Sequence, residues 1–424
     1  MSGKKLFLGL LAAVLLVAVP PFLGLGWQNA LTNVLIAALF ATAFNLLMGQ
    51  GGMLSFGHAA YYGIGAFAVL HLMRAVEGGL PFPTALLPLA GGLAGLVAGL
   101  GAGYFATLRT GVYFALVTLA LAELPHALAP HWEGVFGGES GLSSMRMPSM
   151  GLDFGSSLQV YYVALGWTVV CVALLYAYTR TPFGRLTLAL RDNEQRVRFM
   201  GFDAHAAKTL VFGVSAMMTG IAGGLLALSS ETANYNIFSS HVSAQVVLHV
   251  FVGGSGLFFG PVIGATVLTL FSFLASEMTR AWLLYQGIIF TLIMLYAPTG
   301  IAGVVQAHIA ARHRLPWGRL AGPYAVAAIG GLLAAAGTVF VVQMAEHVFS
   351  QTYRAAAAQG RWGDVALFGL TWAPHNPATW LAPLAVFALG IVILRRVRAP
   401  IARLWHGGED EADTAASQPA HGAA

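Results

Sequence analysis

The segment RTPFGRLTLALRDNEQRVRFMGFDAHAAK, residues 180–208, lies between two long apolar runs in a chain of which only 9% of the residues are charged. Thr181 and Pro182 predict a helix start, because a threonine side chain can accept hydrogen bonds from a first turn and proline loses no bonded donor there. Gly201 predicts the helix end. Apolar residues recur between them at helical spacing, interrupted by Asn193: Leu186, Leu190, Val197 and Met200. We therefore expect an amphipathic helix between two membrane spans.

This segment, which we call the charged island, has two interpretations. Basic residues alone would suit a cytoplasmic loop that only sets the orientation of the chain in the membrane. The run from 191 to 194, Arg-Asp-Asn-Glu, mixes both signs of charge and offers donors and acceptors to a protein partner. We favour a docking surface, with the orientation loop as the alternative.

The composition indicates an all-α, polytopic helical bundle in a membrane. Of the 424 residues, 58% are hydrophobic, and mean hydropathy is +0.75. Many apolar runs reach the roughly 20 residues that a membrane helix needs, and their lack of period-2 alternation favours helices over a barrel. We predict about twelve spans, with ten as the lower bound: 6–25, 30–48, 55–73, 84–108, 111–128, 159–178, 209–229, 242–257, 259–276, 281–299, 322–346 and 379–395.

Charge predicts the orientation of the chain. Placing both termini in the cytoplasm puts 16 of the 21 lysines and arginines on the cytoplasmic side, as the positive-inside rule requires. The basic residues are spread over short loops instead of one face, which favours the lipid bilayer and protein partners over nucleic acid. Cys171 is the single cysteine, so an intrachain disulfide is excluded.

Two glycine-rich segments interrupt the apolar runs, and we call 49–58 the first break and 251–261 the second break. Glycine lets a backbone unwind, which a membrane tolerates only where protein or a water-filled cavity covers the freed polar groups. Close-packed helices without a pathway are the alternative. Since polar groups at membrane depth normally face a partner or a cavity, the candidate pathway residues are Gln50, Ser55, Gly57, His58, Gln245, His249, Gly253 and Gly254. For the two histidines we favour a hydrogen bond that holds one helix to another.

At residues 49–66 the chain closely resembles the permease subunits of branched-chain amino acid ABC importers. Five further matches follow in that family's order, at 111–119, 137–142, 191–194 with Gly201, 253–256 with 260–265, and 297–301. Together they cover about residues 30 to 305 and lie nearer to the second of that importer's two permease subunits.

The resemblance implies a transport subunit of the bacterial inner membrane. Its implied partners are a homologous second permease, two cytoplasmic ATPase subunits and a periplasmic substrate-binding protein. The charged island then looks like the helix that couples to an ATPase, through Arg191, Asp192, Glu194, Arg198 and Gly201. The implied organisation is an N-terminal span at 1–29, a permease core at 30–305, an extension with two extra spans at 306–398 and a disordered cytoplasmic tail at 399–424.

The sequence argues against catalysis. It contains no phosphate-binding G-x-x-x-x-G-K-[ST] loop and no H-E-x-x-H pattern, so we expect no cofactor in this chain and ATP bound by partner subunits. The expected function is import of branched-chain or other hydrophobic amino acids from periplasm to cytoplasm. A urea or short-amide importer of the same family is one alternative. A stand-alone secondary transporter is another, although its helices would need ionisable residues that are scarce here.

Overall fold

The structure is a computed structural model that describes residues 14–149, 151, 153–359 and 363–416, with only the backbone described in 406–416. Among these residues, nine helices are long and apolar enough to cross a membrane. A tenth span results if the bent pair Trp282–Tyr296 and Gly300–Ala311, which meet at 42°, counts as one. The predicted polytopic all-α fold is confirmed.

The described part of the chain is mostly helical and contains two short antiparallel strand pairs. The helices are α1 (Leu25–Asn45), α2 (Ala59–Glu77), α3 (Pro88–Ala106), α4 (Val112–Leu128), α5 (Glu133–Phe136), α6 (Ser157–Arg180), α7 (Pro182–Asp192), α8 (Glu194–Phe199), α9 (Ala204–Ser230), α10 (Ser240–Gly253), α11 (Gly260–Met278), α12 (Trp282–Tyr296), α13 (Gly300–Ala311), α14 (Trp317–Phe349), α15 (Gln351–Ala358) and α16 (Pro377–Ala416). The strands are β1 (Leu142–Ser143), paired with β2 (Thr232–Ala233), and β3 (Val365–Leu367), paired with β4 (Leu370–Trp372).

Most predicted spans coincide with a helix to within a few residues, but the span at 242–257 is wrong. Helix α10 has 14 residues, about 21 Å at 1.5 Å per residue, which is too short for a bilayer core of about 30 Å. It ends because Gly254 has a φ of +108°, which is outside the helical region. The predicted span 6–25 lies mostly outside the described residues. Its described part is helical at 14–18 and ends at the 3₁₀ turn Pro20–Phe22.

Among the residues that the structure describes, the first compact unit comprises those up to Leu274 together with Gln286–Val304. Helices α1 and α9 form its centre, since most of their residues are buried, whereas most residues of α11 are not. Glycine lets α2 and α3 approach α9 closely. A Cβ at Gly65 or at Gly91 would overlap the carbonyl oxygen of Gly220, so only residues without a side chain fit this crossing.

The second compact unit comprises Ala275–Tyr285 and the described residues from Val305 to Ala416. Helices α14 and α16 pack face to face at glycines, and a Cβ at Gly337 would lie 2.6 Å from the Pro383 carbonyl oxygen. Val365 and Leu367 of β3, which lies between these helices in the chain, form a small core with Met344 of α14. The Thr279 hydroxyl donates to Glu346 at 3.1 Å, so the loop before α12, which the sequence assigned to the permease core, belongs with the extension.

Helix α16 corrects the predicted C-terminal tail. It continues to Ala416, whereas the sequence predicted a span ending at 395 and a disordered segment from 399. Alanine, the residue with the highest helix propensity, occurs five times in residues 399–416, which favours continuation of the helix despite Pro400. The predicted disorder of 417–424 concerns residues outside those that the structure describes.

Candidate functional site

The charged island folds as two helices, not as the single helix that its periodicity predicts. The start is confirmed, since Pro182 is the first residue of α7 and the Thr181 hydroxyl accepts a hydrogen bond from the Gly184 N–H at 3.1 Å. Asn193 has φ −160° and ψ 100°, which breaks the helix. Its side chain instead caps α8 by accepting from the Arg196 N–H at 3.0 Å. Asparagine competes in this way with helix continuation because its amide can replace a backbone partner.

The end of α8 exposes apolar side chains. Gly201, with a φ of +86°, follows the helix end as predicted. Met200 was predicted in the buried stripe, but its side chain is 56% exposed, because α8 ends at Phe199 and the helical period no longer carries it inward. Phe199 is 90% exposed and Phe202 is 51% exposed. These three residues, Phe199, Met200 and Phe202, form what we call the apolar tip.

The buried side of the island is held to the start of α9. Leu190 and Val197 pack with Ala204 and Ala207 in a small core of their own. The Asp203 side chain caps α9 by accepting from two N–H groups of its first turn, at 2.9 and 3.1 Å. The island and α9 are therefore joined by both apolar packing and a cap.

Glu194 forms ion pairs inside the chain with both of its oxygens. One accepts from Arg198 at 2.7 Å and the other pairs with Lys208, whose side chain is only 6% exposed. Partial burial by itself would raise the pKa of Glu194, but the hydrogen bonds and charges of Lys208 and Arg198 together lower that pKa below its ordinary value. The carboxylate is therefore charged at neutral pH. Asp192 is exposed and remains available to a partner.

Arg191 is exposed on the island, and its guanidinium group extends to the first break. Its Nη1 donates a hydrogen bond to the Gly49 carbonyl oxygen, 142 residues earlier in the chain. Its aliphatic stem lies beside Gly52, which has a φ of +68°, and a Cβ at Gly52 would lie 2.9 Å from the Arg191 Cγ. The coupling residue expected to face an ATPase thus contacts its own chain.

The first break unwinds where the glycines predict it. Helix α1 runs into a π turn at Leu46–Gln50, and α2 begins only at Ala59. Hydroxyls from distant helices accept the freed N–H groups: Thr118 accepts from Phe56 at 3.2 Å, and Ser243 accepts from Ala59 at 3.0 Å. Protein therefore covers this part of the backbone. Neither partner could be predicted from the sequence, because a lone hydroxyl in an apolar helix does not reveal what it contacts.

His58 connects three segments within the bundle. Its side chain has no exposed surface, and its Nε2 lies 2.9 Å from the Ser215 hydroxyl, which itself donates to the Ala43 carbonyl at 2.7 Å. Since the Ser215 proton is used there, Nε2 carries the ring proton, and Nδ1 accepts from Ser55 at 3.0 Å. These contacts favour the structural interpretation of His58 as a link between helices.

The two breaks meet at one end of the bundle. A Cβ at Gly49 would overlap the Ser255 carbonyl oxygen, and one at Gly254 would overlap the Thr299 carbonyl oxygen. Gly300, with a φ of +72°, presses against the Gly254 backbone. We call these contacts, at Gly49, Gly254, Ser255, Thr299 and Gly300, the glycine junction.

The other candidate pathway residues divide by burial. Gln50, Gln245 and His249 are half-buried, whereas Ser55 and Gly57 are buried. A Cβ at Gly57 would overlap the Thr118 carbonyl oxygen, so this position is filled by backbone. Throughout the described part of the chain, no three His, Cys, Asp or Glu side chains are grouped as metal ligands.

Comparison with known proteins identifies the family. The family model described as branched-chain amino acid transport system / permease component matches residues 27–298. The chain is 29% identical to the high-affinity branched-chain amino acid transport system permease protein LivM of Salmonella typhimurium and 28% identical to that of Escherichia coli, in each case over 72% of this chain and 76% of the relative. It is also 29% identical to the autoinducer 2 import system permease protein LsrC of Escherichia coli, over 61% of this chain and 76% of the relative. No solved structure matches the chain. With its multiple membrane-spanning helices, the chain is a multi-pass membrane protein that belongs to the branched-chain amino acid transport permease family.

Proposed function

We propose that this chain is one permease subunit of an ABC importer that moves branched-chain or other hydrophobic amino acids from the periplasm to the cytoplasm. Two ATPase subunits bind ATP, and a second, homologous permease completes the pathway. A periplasmic binding protein delivers the substrate. The chain itself needs no cofactor. It lies in the bacterial inner membrane with both termini and the charged island in the cytoplasm.

The observation that carries this proposal is the surface of the charged island. The apolar tip exposes two phenylalanines and a methionine on a segment rich in charge. Exposed aromatic and methionine side chains ringed by charge are typical of protein interfaces. Asp192, Arg198 and Gly201 lie on the same segment. We assign the apolar tip with these residues to the contact with an ATPase subunit.

Glu194 and Arg191 hold the charged island in position within the chain. Glu194 sets the position of α8 against α9 through Lys208, and Arg191 joins the island to the first break. The half-buried Gln50, Gln245 and His249 are the side chains that we propose for the pathway, because each lies at or near a break and retains exposed surface.

Uptake with competing cargo tests the proposed substrate class. The chain, its second permease, both ATPases and the binding protein are reconstituted in proteoliposomes with internal ATP, and uptake of radiolabelled L-leucine is measured. We expect uptake that unlabelled isoleucine or valine suppresses and that urea does not.

A second cargo is supported by the similarity to LsrC, whose name describes import of autoinducer 2. Suppression of uptake by autoinducer 2, without suppression by isoleucine, would favour that cargo. An absence of leucine uptake together with ATP-driven urea uptake would overturn the proposed substrate class.

A further inference from the structure

The contact between Arg191 and the first break joins two parts of the proposed mechanism. We propose that Arg191 is a positioning residue that transmits movement of the charged island to both glycine breaks, and does not itself contact the ATPase. This inference rests on the proposed function, because it assumes that an ATPase moves the island.

The first step concerns the Gly49 carbonyl group. In a regular α-helix this carbonyl would accept from the N–H four residues later, which belongs to Met53. The Met53 N–H instead donates to the Leu47 carbonyl at 3.0 Å, because the chain passes through a π turn. Arg191 supplies the donor in its place. A freed carbonyl near the membrane needs such a partner, so the bond belongs to the unwound form of the break.

The second step concerns the stem of the same side chain. Gly52 turns the chain with a positive φ directly beside the Arg191 methylene groups, and no Cβ fits between them. Arg191 therefore holds the first break both by a hydrogen bond and by steric contact. Displacement of the end of α7 must move Gly49 and Gly52 together or break both contacts.

The third step extends the link to the second break. The Gly49 Cα lies against the Ser255 carbonyl, and Gly254 next to it lies against Thr299 and Gly300. Apart from the buried Asn45 side chain beside Gly49, these contacts are made by backbone atoms, which leave little room to absorb a displacement. Movement at Arg191 thus reaches the whole glycine junction through contiguous packing.

The charged island, where the movement begins, is itself held rigidly. The island is fixed to the start of α9 by the Glu194–Lys208 pair and by the core around Leu190 and Val197. A displacement of the apolar tip is therefore transferred to α7, because the packed island does not move as a flexible loop.

The test compares Arg191→Ala and Arg191→Lys with Arg185→Ala in the complete reconstituted importer. Arg185 is an exposed arginine on the same helix, so its removal controls for lost charge. The measured quantities are ATP hydrolysis and L-leucine molecules transported per ATP. Since a hydrogen bond to a charged group is lost, we expect Arg191→Ala to lower leucine per ATP about tenfold while hydrolysis stays within about twofold of wild type. Arg191→Lys keeps the charge and should be intermediate, and Arg185→Ala should match wild type.

A second readout reports on the first break itself. Hydrogen exchange at residues 46–53 should be faster in both Arg191 variants and unchanged in Arg185→Ala. If Arg191→Ala fails to accumulate, the exchange rate of Arg191→Lys tests the inference. Wild-type leucine per ATP with unchanged exchange would overturn the inference. Loss of ATPase binding in Arg191→Ala would also overturn it, by making Arg191 a docking contact. If the wild-type complex transports no leucine with ATP, the proposed function fails instead.

Discussion

At the scale of single residues, most polar side chains at 191–194 of the charged island contact their own chain. The mixed charges at 191–194 suggested contacts to a partner protein, yet three of the four side chains bind within the chain. Arg191 reaches the first break, Asn193 caps α8, and Glu194 pairs with Lys208. The sequence places this segment between two long apolar runs, but it does not reveal these contacts, because each partner is set by tertiary packing.

The Glu194–Lys208 pair predicts a specific pattern of mutant stabilities. Glu194→Gln should destabilise the folded chain by about 1–3 kcal/mol, because it leaves the buried Lys208 ammonium without a counter-charge. Adding Lys208→Met should recover most of the lost stability, since no buried charge is then left without a counter-charge. Thermal unfolding in lipid nanodiscs measures both effects.

The exposed Arg198 provides the control, and Arg198→Met should change the stability by less than about 0.5 kcal/mol. A double variant no more stable than Glu194→Gln would contradict a structural role for the pair. A stable double variant that fails to stimulate the ATPase subunits would show that the carboxylate also contacts a partner.

At the scale of elements, the two breaks depend on close backbone contacts for which an added side chain leaves no room. Gly254 combines a φ of +108° with a Cβ position that overlaps the Thr299 carbonyl. Any other residue there is strained and must also push α12 and α13 away.

We therefore expect Gly254→Ala to reduce leucine transport at least about tenfold, from strain of about 1–3 kcal/mol together with displacement of the glycine junction. Gly256 is the matched control, because it lies two residues away and a Cβ there meets nothing within 4 Å. Gly256→Ala should transport like wild type. Equal transport by the two variants would show that the junction tolerates a side chain.

The elements also show where periodicity stops being informative. Long apolar runs predicted α1, α6, α9 and α14 well, because their length alone requires a membrane helix. The short helix α10 was predicted as a full span, since its apolar run continues through Gly253 and only the backbone angle of Gly254 ends it. Likewise, Ser215 and Ser243 resemble other small residues of an apolar helix until the fold places them against His58 and Ala59.

At the scale of the whole molecule, the extension is a unit with its own packing. Helices α14 and α16 contact each other at Gly330, Gly337 and Gly390, and their buried polar groups are few among the described residues. A path for a zwitterionic amino acid needs polar partners that compensate for its desolvation. The extension is therefore a poor candidate for lining that path.

We expect Gly337→Leu, which forces α14 and α16 apart, to leave substrate preference unchanged while lowering the amount of protein in the membrane. We expect the same unchanged substrate preference and lower protein level for a chain that ends after Arg314, which retains α13. Competition by isoleucine, valine and urea against leucine uptake measures the preference. A changed order of competitors in either variant would assign the extension to the substrate path.

The source of energy tests the proposed role of the molecule most directly. L-leucine uptake is measured in proteoliposomes that contain either this chain alone or the complete set of subunits, with internal ATP, a proton gradient or a sodium gradient. We expect uptake only in the complete set and only with ATP, because we propose the charged island as the contact with an ATPase and the sequence contains no phosphate-binding loop. Sustained uptake by the isolated chain under a proton or sodium gradient would instead identify a stand-alone secondary transporter.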